Sequence, residues 1–221
     1  MKLGPVAVGT VLVTLAFSGC GGSSTSSSRT TGKATTASSG TGAAAVTPPP
    51  GTPAALRGAH GGVLLAGELP GFVPAGQLKL STSAQSAVAE DPPEQRAAEE
   101  ARLKALGFIA GLNEPLVPSA GSITTGEAIS LVELFRSSHG ANGEVASQLQ
   151  LALKRREIAF AVPGIPGAHG FGFSASNTDA NVAFPVGAYY YLVGFGAPAA
   201  SAPTRAQLIT AAQRLYRRVR G

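Results

Sequence analysis

Beyond the first sixty residues, apolar residues recur along this chain with two different periods. A period of two between turn residues, typical of strands, occurs at 108–116, 127–136, 158–162, 168–175, 180–186 and 188–196. A period of three to four, typical of amphipathic helices, occurs at 92–106, 142–154 and 205–219. A short helical turn is predicted within 81–90. The proline-containing segment 62–74 is predicted to form an edge strand or an ordered arm.

The order of these elements predicts the fold class. They indicate an α+β domain in which a mostly antiparallel sheet of about five to six strands packs against about three helices. Two helix starts have the spacing of a capping box, Asp91 with Glu94 and Thr204 with Gln207. Residues 60–221 are long enough for a single domain with one core.

The first twenty residues have a different pattern. After a basic start, the apolar run 6–17 has the length of a signal-peptide core and is too short to span a membrane. It ends just before Cys20, the only cysteine of the chain. We therefore predict a signal peptide over 1–19 and a lipid anchor on the thiol of Cys20. The alternative is ordinary cleavage near Ser18, which leaves a free thiol.

The residues Phe17-Ser18-Gly19-Cys20 resemble the lipobox of bacterial lipoproteins. The small residues at 18 and 19 match that pattern, whereas Phe17 departs from it because leucine is usual three places before the cysteine. The resemblance implies an acylated Cys20 inserted in membrane lipid. The protein would then be exported and anchored to the outer face of the cytoplasmic membrane, in the cell envelope.

A second resemblance concerns the layout of the whole chain. A lipidated cysteine, a Ser/Thr/Pro-rich tether and one α+β domain with the turns LPGF (69–72), ALGF (105–108) and VPG (162–164) are similar to small actinobacterial lipoproteins. Some of these, of the mycobacterial Lpq type, have a PsbP-like sandwich. The resemblance implies a binding or cell-wall accessory role and transfers no site residues.

Residues 20–59 read as a linker. Beyond Cys20 they are rich in Ser, Thr, Gly and Pro with hardly a large apolar side chain, so we predict a disordered tether. Four of the basic residues precede position 60, whereas residues 60–221 hold thirteen Lys and Arg against twelve Asp and Glu. The domain is therefore close to neutral, and the net charge of +5 does not indicate nucleic-acid binding.

Candidate chemistry is sparse. The three histidines, His60, His139 and His169, lie far apart in sequence, and no nucleophile elbow, zinc-ligand spacing, calcium loop or phosphate-binding loop occurs. We therefore expect no catalytic residues, no metal site and no cofactor. Glu127 and Glu133 lie in one predicted strand and are the candidates for acid–base chemistry; Glu133 is the stronger of the two, because it shares a face with Leu131 and Phe135. Its pKa would be raised there, unless it pairs with Arg136 or another arginine at the sheet margin.

Two clusters remain as candidate binding residues. Tyr189, Tyr190 and Tyr191 lie in one predicted strand and would contact a ligand in a groove, or else simply pack with their hydroxyls at the sheet margin. Arg214, Arg217 and Arg218 lie near the end of the last helix, where they complement the helix dipole. They are also candidates for contact with anionic lipid headgroups or wall polymers.

These patterns rank three hypotheses about function. The first is a non-catalytic binding or envelope accessory module, whose partner is a small apolar ligand, a wall polymer or an envelope protein. The second is a structural or protein-interaction lipoprotein without a ligand pocket. The third is a hydrolase or transferase that acts on envelope material. A tyrosine-lined pocket would favour the first, an exposed apolar patch the second, and perturbed ionisable groups in a cleft the third.

Overall fold

The strand-like segments form one antiparallel sheet in the computed structural model, which describes residues 47–173, 178–198 and 200–221. The strands are β1 (Phe72–Pro74), β2 (Lys79–Ser81), β3 (Phe108–Pro118), β4 (Glu127–Phe135), β5 (Ile158–Ala161), β6 (His169–Gly172), β7 (Ala180–Val186) and β8 (Tyr189–Gly196). Their order across the sheet is β1, β3, β4, β8, β7, β6 and β5, and β2 pairs with β3 beside β1. One edge therefore consists of β1 and β2, and the other of β5.

The helices cover both faces of this sheet. They are α1 (Ala84–Ala87), α2 (Pro93–Leu106), α3 (Ser138–Lys154) and α4 (Arg205–Val219), with short 3₁₀ turns at Ala54–Leu56 and Ala59–Gly61. One face packs against α1, α2 and α3, and we call it the α3 face. The other packs against α4 and against residues 52–69, and we call it the α4 face. The α+β prediction is confirmed, with more strands and helices than expected among the described residues.

Strand alternation divides the apolar side chains between two cores. In β4, Val132 and Leu134 point to the α4 face, and Leu131 and Phe135 to the α3 face. The apolar pattern on both sides of this segment predicts a central strand, and β4 indeed lies between β3 and β8. The larger core lies under α4, whose buried stripe includes Leu208.

The N-terminal arm, residues 52–69, is part of the domain. Leu56 and Leu64 are fully buried in the core of the α4 face. The predicted linker, 20–59, therefore extends too far, because its last residues, including Leu56, pack against the sheet. The predicted signal peptide, Cys20 and the predicted linker up to residue 46 lie outside the described residues. Segment 62–74 is an ordered arm that ends in edge strand β1, as predicted.

Two predicted helix starts differ from the structure. The capping box of Asp91 with Glu94 does not form, because α2 begins at Pro93. Pro93 disfavours helical geometry in Pro92, which stays extended at ψ 135° and becomes the cap residue. Helix α3 begins at Ser138, four residues before its predicted start, after the cap residue Ser137.

Two glycines near the start of α3 explain why the sequence pattern predicts a later start for this helix. A side chain at Gly140 would clash with the backbone of Leu106 at the end of α2, and Gly143 lies close to the same residue. Glycine lowers helix propensity, but the close packing of α3 against α2 explains its presence at these two positions. The capping box of Thr204 with Gln207 is confirmed at the start of α4. Among the described residues, no helix has the length and apolar character needed to cross a membrane.

Candidate functional site

The structure does not bring the three tyrosines of β8 to a groove. Tyr190 is 1% exposed beneath the α3 face, and Tyr191 is fully buried beneath the α4 face. The hydroxyl of Tyr191 donates to the carbonyl of His60 at 2.6 Å, and Tyr189 donates to the carbonyl of Ala55 at 3.2 Å. Burial raises the pKa of Tyr191 far above its ordinary value. Tyr190 and Tyr191 pack in the two cores and are not available to a ligand, whereas Tyr189 is half-buried and, together with Tyr191, holds the N-terminal arm.

The predicted arginine cluster is divided by internal contacts. Arg218 binds the carboxylate of Glu68 and donates to the carbonyl of Val63 at 2.6 Å, so it holds the N-terminal arm. Arg214 is exposed and donates to the carbonyl of Gly67 at 3.3 Å. Arg217 is exposed, and no described residue pairs with it. Of the three, Arg217 alone keeps a fully available charge among the described residues.

The histidines lie on three separate elements. His60 lies within the N-terminal arm, and its ring stacks on that of Tyr189 with the two ring centroids 4.8 Å apart. His139 is exposed in the first turn of α3, and His169 is exposed on β6. Within the described ranges, no group of three or more His, Cys, Asp or Glu side chains is arranged to hold a metal ion.

Among the described residues, Glu133 is the ionisable group whose pKa is raised to near neutrality. It is 7% exposed on the α3 face of β4, where it lies between Gly111 of β3 and Tyr190 of β8. Burial raises its pKa to about 7; Asp91 and Glu99 add to the rise, and Arg102 opposes it. Its Oε2 atom has no hydrogen-bond partner among the described residues. Of the two alternatives for Glu133, its burial agrees with the raised pKa, and no ion pair among the described residues joins it to Arg136 or to another arginine.

Charged side chains of α2 and α3 surround this carboxyl. Arg102 donates through Nε to Glu99 at 2.9 Å and also binds the carboxylate of Glu144. Glu144 is 1% exposed and accepts a further hydrogen bond from Gln148 at 2.8 Å. These four side chains form a packed ionic network between α2 and α3. A carboxyl with a pKa near 7 has the proton affinity of a general acid, but this one is closed off from any substrate by α2 and α3.

An open surface exists elsewhere, at edge strand β5. The strand reads Ile-Ala-Phe-Ala, and its first residue, Ile158, is 48% exposed. It borders an open groove of about 490 Å³ that is lined by residues 159–163 with Ala168 and His169. Leu153, at the end of α3, is 45% exposed near the start of the strand. This part of the surface combines unpaired strand backbone with exposed apolar side chains.

Aromatic rings and a cation form one wall beside the groove. Phe160 packs over Gly170, where a side chain at position 170 would clash with the ring. The guanidinium of Arg205, from the first turn of α4, lies 4.7 Å from the ring centre of Phe160 and 5.5 Å from that of Phe173. Such cation–π contacts hold the charge at the surface over an apolar base.

Comparison of the chain with protein-family models, with curated proteins and with solved structures found no match. The geometry of the described residues therefore carries the functional argument. Sequence reasoning predicted strand β5 but did not single it out as a candidate binding surface. The available signal was a strand that has no charged residue or proline and follows the run Lys154-Arg155-Arg156.

Proposed function

We propose that this chain is a lipid-anchored protein of the bacterial cell envelope whose domain binds a partner protein and performs no catalysis. The observation that carries the proposal is the open edge of β5 with its groove and its exposed apolar neighbours, Leu153 and Ile158. Unpaired strand edges are templates for another chain, and folded proteins otherwise blunt them. Of the three hypotheses from the sequence, this geometry favours the protein-interaction lipoprotein.

The other two hypotheses have weaker support. A tyrosine-lined pocket would favour a small ligand, but Tyr190 and Tyr191 are core residues. Perturbed carboxyl groups in a cleft would favour a hydrolase or transferase, but Glu133 lies beneath helices. The β5 groove is open and shallow in character, which suits an extended segment better than an enclosed small molecule.

The anchor rests on Cys20 and its neighbours in the sequence. We expect Cys20→Ser to move the exported protein from the membrane fraction to the soluble fraction, because lipidation needs the thiol. Detergent phase partitioning of a bacterial host that lipidates exported proteins measures this. Ser18→Ala, which keeps a small residue before the cysteine, is the matched control and should stay in the membrane. Equal partitioning of Cys20→Ser and the unchanged chain would contradict the anchor.

Partner binding is tested by photo-crosslinking in whole cells. A photoreactive phenylalanine derivative at position 158 should form an adduct with a defined protein, because Ile158 lies on the open edge. The matched control carries the same group at position 123, since Ile123 is also an exposed isoleucine, at 83%, but lies in the β3–β4 loop. The same adduct from both positions, or none from position 158, would contradict binding at β5.

A further inference from the structure

We infer that β5 receives an extended acidic segment of the partner, which adds to the sheet as a further strand. This inference rests on the proposed function and specifies the conformation and charge of what binds. It starts from a difference between the two sheet edges. The β1–β2 edge consists of two three-residue strands that contain Pro74 and Lys79. Strand β5 is also short, with four residues, but it contains neither a proline nor a charged residue.

The break between β1 and β2 is also closed from within. The carboxylate of Glu114 accepts a hydrogen bond from the backbone N–H of Gly76 at 2.8 Å, and the N–H of Ala75 donates to the carbonyl of Pro115 at 2.9 Å. Residues 75–78 lie outside any strand, with φ +70° at Gly76, so that edge offers no continuous row of outward backbone groups. At β5, pairing with β6 uses one side of the strand only. The outward N–H and C=O groups are left for an added strand.

Side chains of an added strand would meet two different surfaces. Successive side chains of a strand point to opposite faces of the sheet. On the α4 face, they would lie beside Phe160 and the guanidinium of Arg205. On the α3 face, they would lie beside Ala159 and Ala161, both exposed and small. The α4 side therefore offers an anionic side chain a cation, and the α3 side leaves room for an apolar one.

Charge selects an acidic partner. Lys154, Arg155 and Arg156 are exposed directly before β5, and none of the ion pairs of the described residues involves them. Two carboxyl groups, Glu157 and Asp179, offset part of this charge; burial raises the pKa of the half-buried Glu157, Arg155 lowers it, and the charge of Asp179 adds to the rise. With Arg205 above the groove, the positive charge at this edge exceeds the negative charge. Complementary charge sets the choice of partner more than the total affinity.

Two other occupants fit this charge poorly. A second copy that paired antiparallel through β5 would place Arg155 and Arg156 opposite residues near 163–164 of the other copy, which are uncharged and offer no anion. The chain's own linker has Arg29 and Lys33 and no acidic residue. The described part of the chain also begins near the opposite edge, where Gly51 lies beside Leu80 of β2.

The test uses the full lipidated chain in nanodiscs of zwitterionic lipid. The probe is a capped hexapeptide of alternating glutamate and valine. A lysine–valine peptide is the charge control, and the glutamate–valine peptide with N-methylated alternate amides is the strand-pairing control. We expect the acidic peptide to slow hydrogen exchange in 158–161 and to bind at least about 5-fold more tightly than either control. Added salt should weaken binding.

Variants of the protein locate the charge effect. Arg205→Ala should weaken binding of the acidic peptide, whereas Arg217→Ala, an exposed arginine on the same helix, should leave it unchanged. Equal binding of the acidic and basic peptides, protection away from β5, or dimerisation through β5 would overturn the inference. If the peptide does not bind but crosslinking at position 158 captures a partner, the acidic-strand inference fails and the proposed function stands. If both fail, the proposed function fails as well.

Discussion

The two faces of the sheet treat their buried polar groups differently. On the α4 face, polar side chains bind backbone groups of the N-terminal arm. The hydroxyl of Ser130 accepts from the N–H of Leu64 at 2.9 Å, and the hydroxyl of Tyr191 donates to the carbonyl of His60 at 2.6 Å. Each face also buries a carboxylate oxygen without a partner among the described residues, on Glu114 of the α4 face and on Glu133 of the α3 face, but the second oxygen of Glu114 accepts from the N–H of Gly76 at 2.8 Å.

This difference distinguishes the stability that comes from holding the arm from the pH-dependent contribution of the buried carboxyl on the α3 face. Hydrogen bonds on the α4 face hold in place a segment that is not part of the sheet, so the arm becomes part of the core. The carboxyl on the α3 face instead carries a desolvation cost that depends on its charge. We therefore expect the arm to determine the total free energy of unfolding and the α3 face to determine how that energy changes with pH.

The largest effect is expected at the arm. Leu56→Ala should lower the free energy of unfolding by about 2–5 kcal/mol, because Leu56 is fully buried and its removal leaves a cavity. Urea unfolding of the full chain measures the change. Leu153→Ala is the matched control, since Leu153 is 45% exposed and its truncation should cost far less. Equal losses in the two variants would show that the arm does not contribute to the core.

The second effect concerns Glu133 and pH. Its pKa is about 7 in the folded chain, against an ordinary value of 4.5. Between these values the folded state binds more protons than the unfolded state, so the stabilising contribution is complete below about pH 4.5 and is lost as pH rises through 7. The full shift corresponds to about 3 kcal/mol. Glu133→Gln should remove this part of the pH dependence.

Comparison with an exposed acid isolates the effect. Glu127→Gln changes the same residue type in the same strand, but Glu127 is exposed, so its pH profile should match that of the unchanged chain. Burial also raises the pKa of Asp91 and Glu157, and both remain in all three proteins. The difference between the Glu133→Gln and Glu127→Gln profiles therefore reports Glu133. Parallel profiles from pH 4.5 to 8 would contradict the buried-carboxylate assignment.

Local hydrophobic patterns predicted the fold because the apolar positions of each element are the positions that pack in the two cores. Apolar residues on both faces of 127–136 predicted a central strand, and β4 is one. The arm could not be predicted in full, because Leu56 is an isolated apolar residue among Ala, Pro and Gly. Its burial depends on the distant strand β8, which no local pattern reports.

The candidate site was less predictable than the fold. A run of three tyrosines has the composition of a binding surface, but strand alternation buries Tyr190 and Tyr191 in opposite cores. Conversely, the strand 158–161 has an unremarkable sequence. Its significance comes from its position at the end of the strand order, and long-range pairing alone determines that position.

The smallest effect tests how the arm is held. Tyr191→Phe removes a buried hydroxyl that donates to His60 and should lower the free energy of unfolding by about 0.5–1.5 kcal/mol. Tyr189→Phe removes a longer bond, 3.2 Å, at a more exposed hydroxyl, so its cost should be smaller. Hydrogen exchange in 54–64 should quicken more in the first variant than in the second. A larger loss for Tyr189→Phe would contradict this ranking. Because the phenyl ring retains the stacking with His60, such a loss would mean that the stacking does not hold the arm without the hydroxyl.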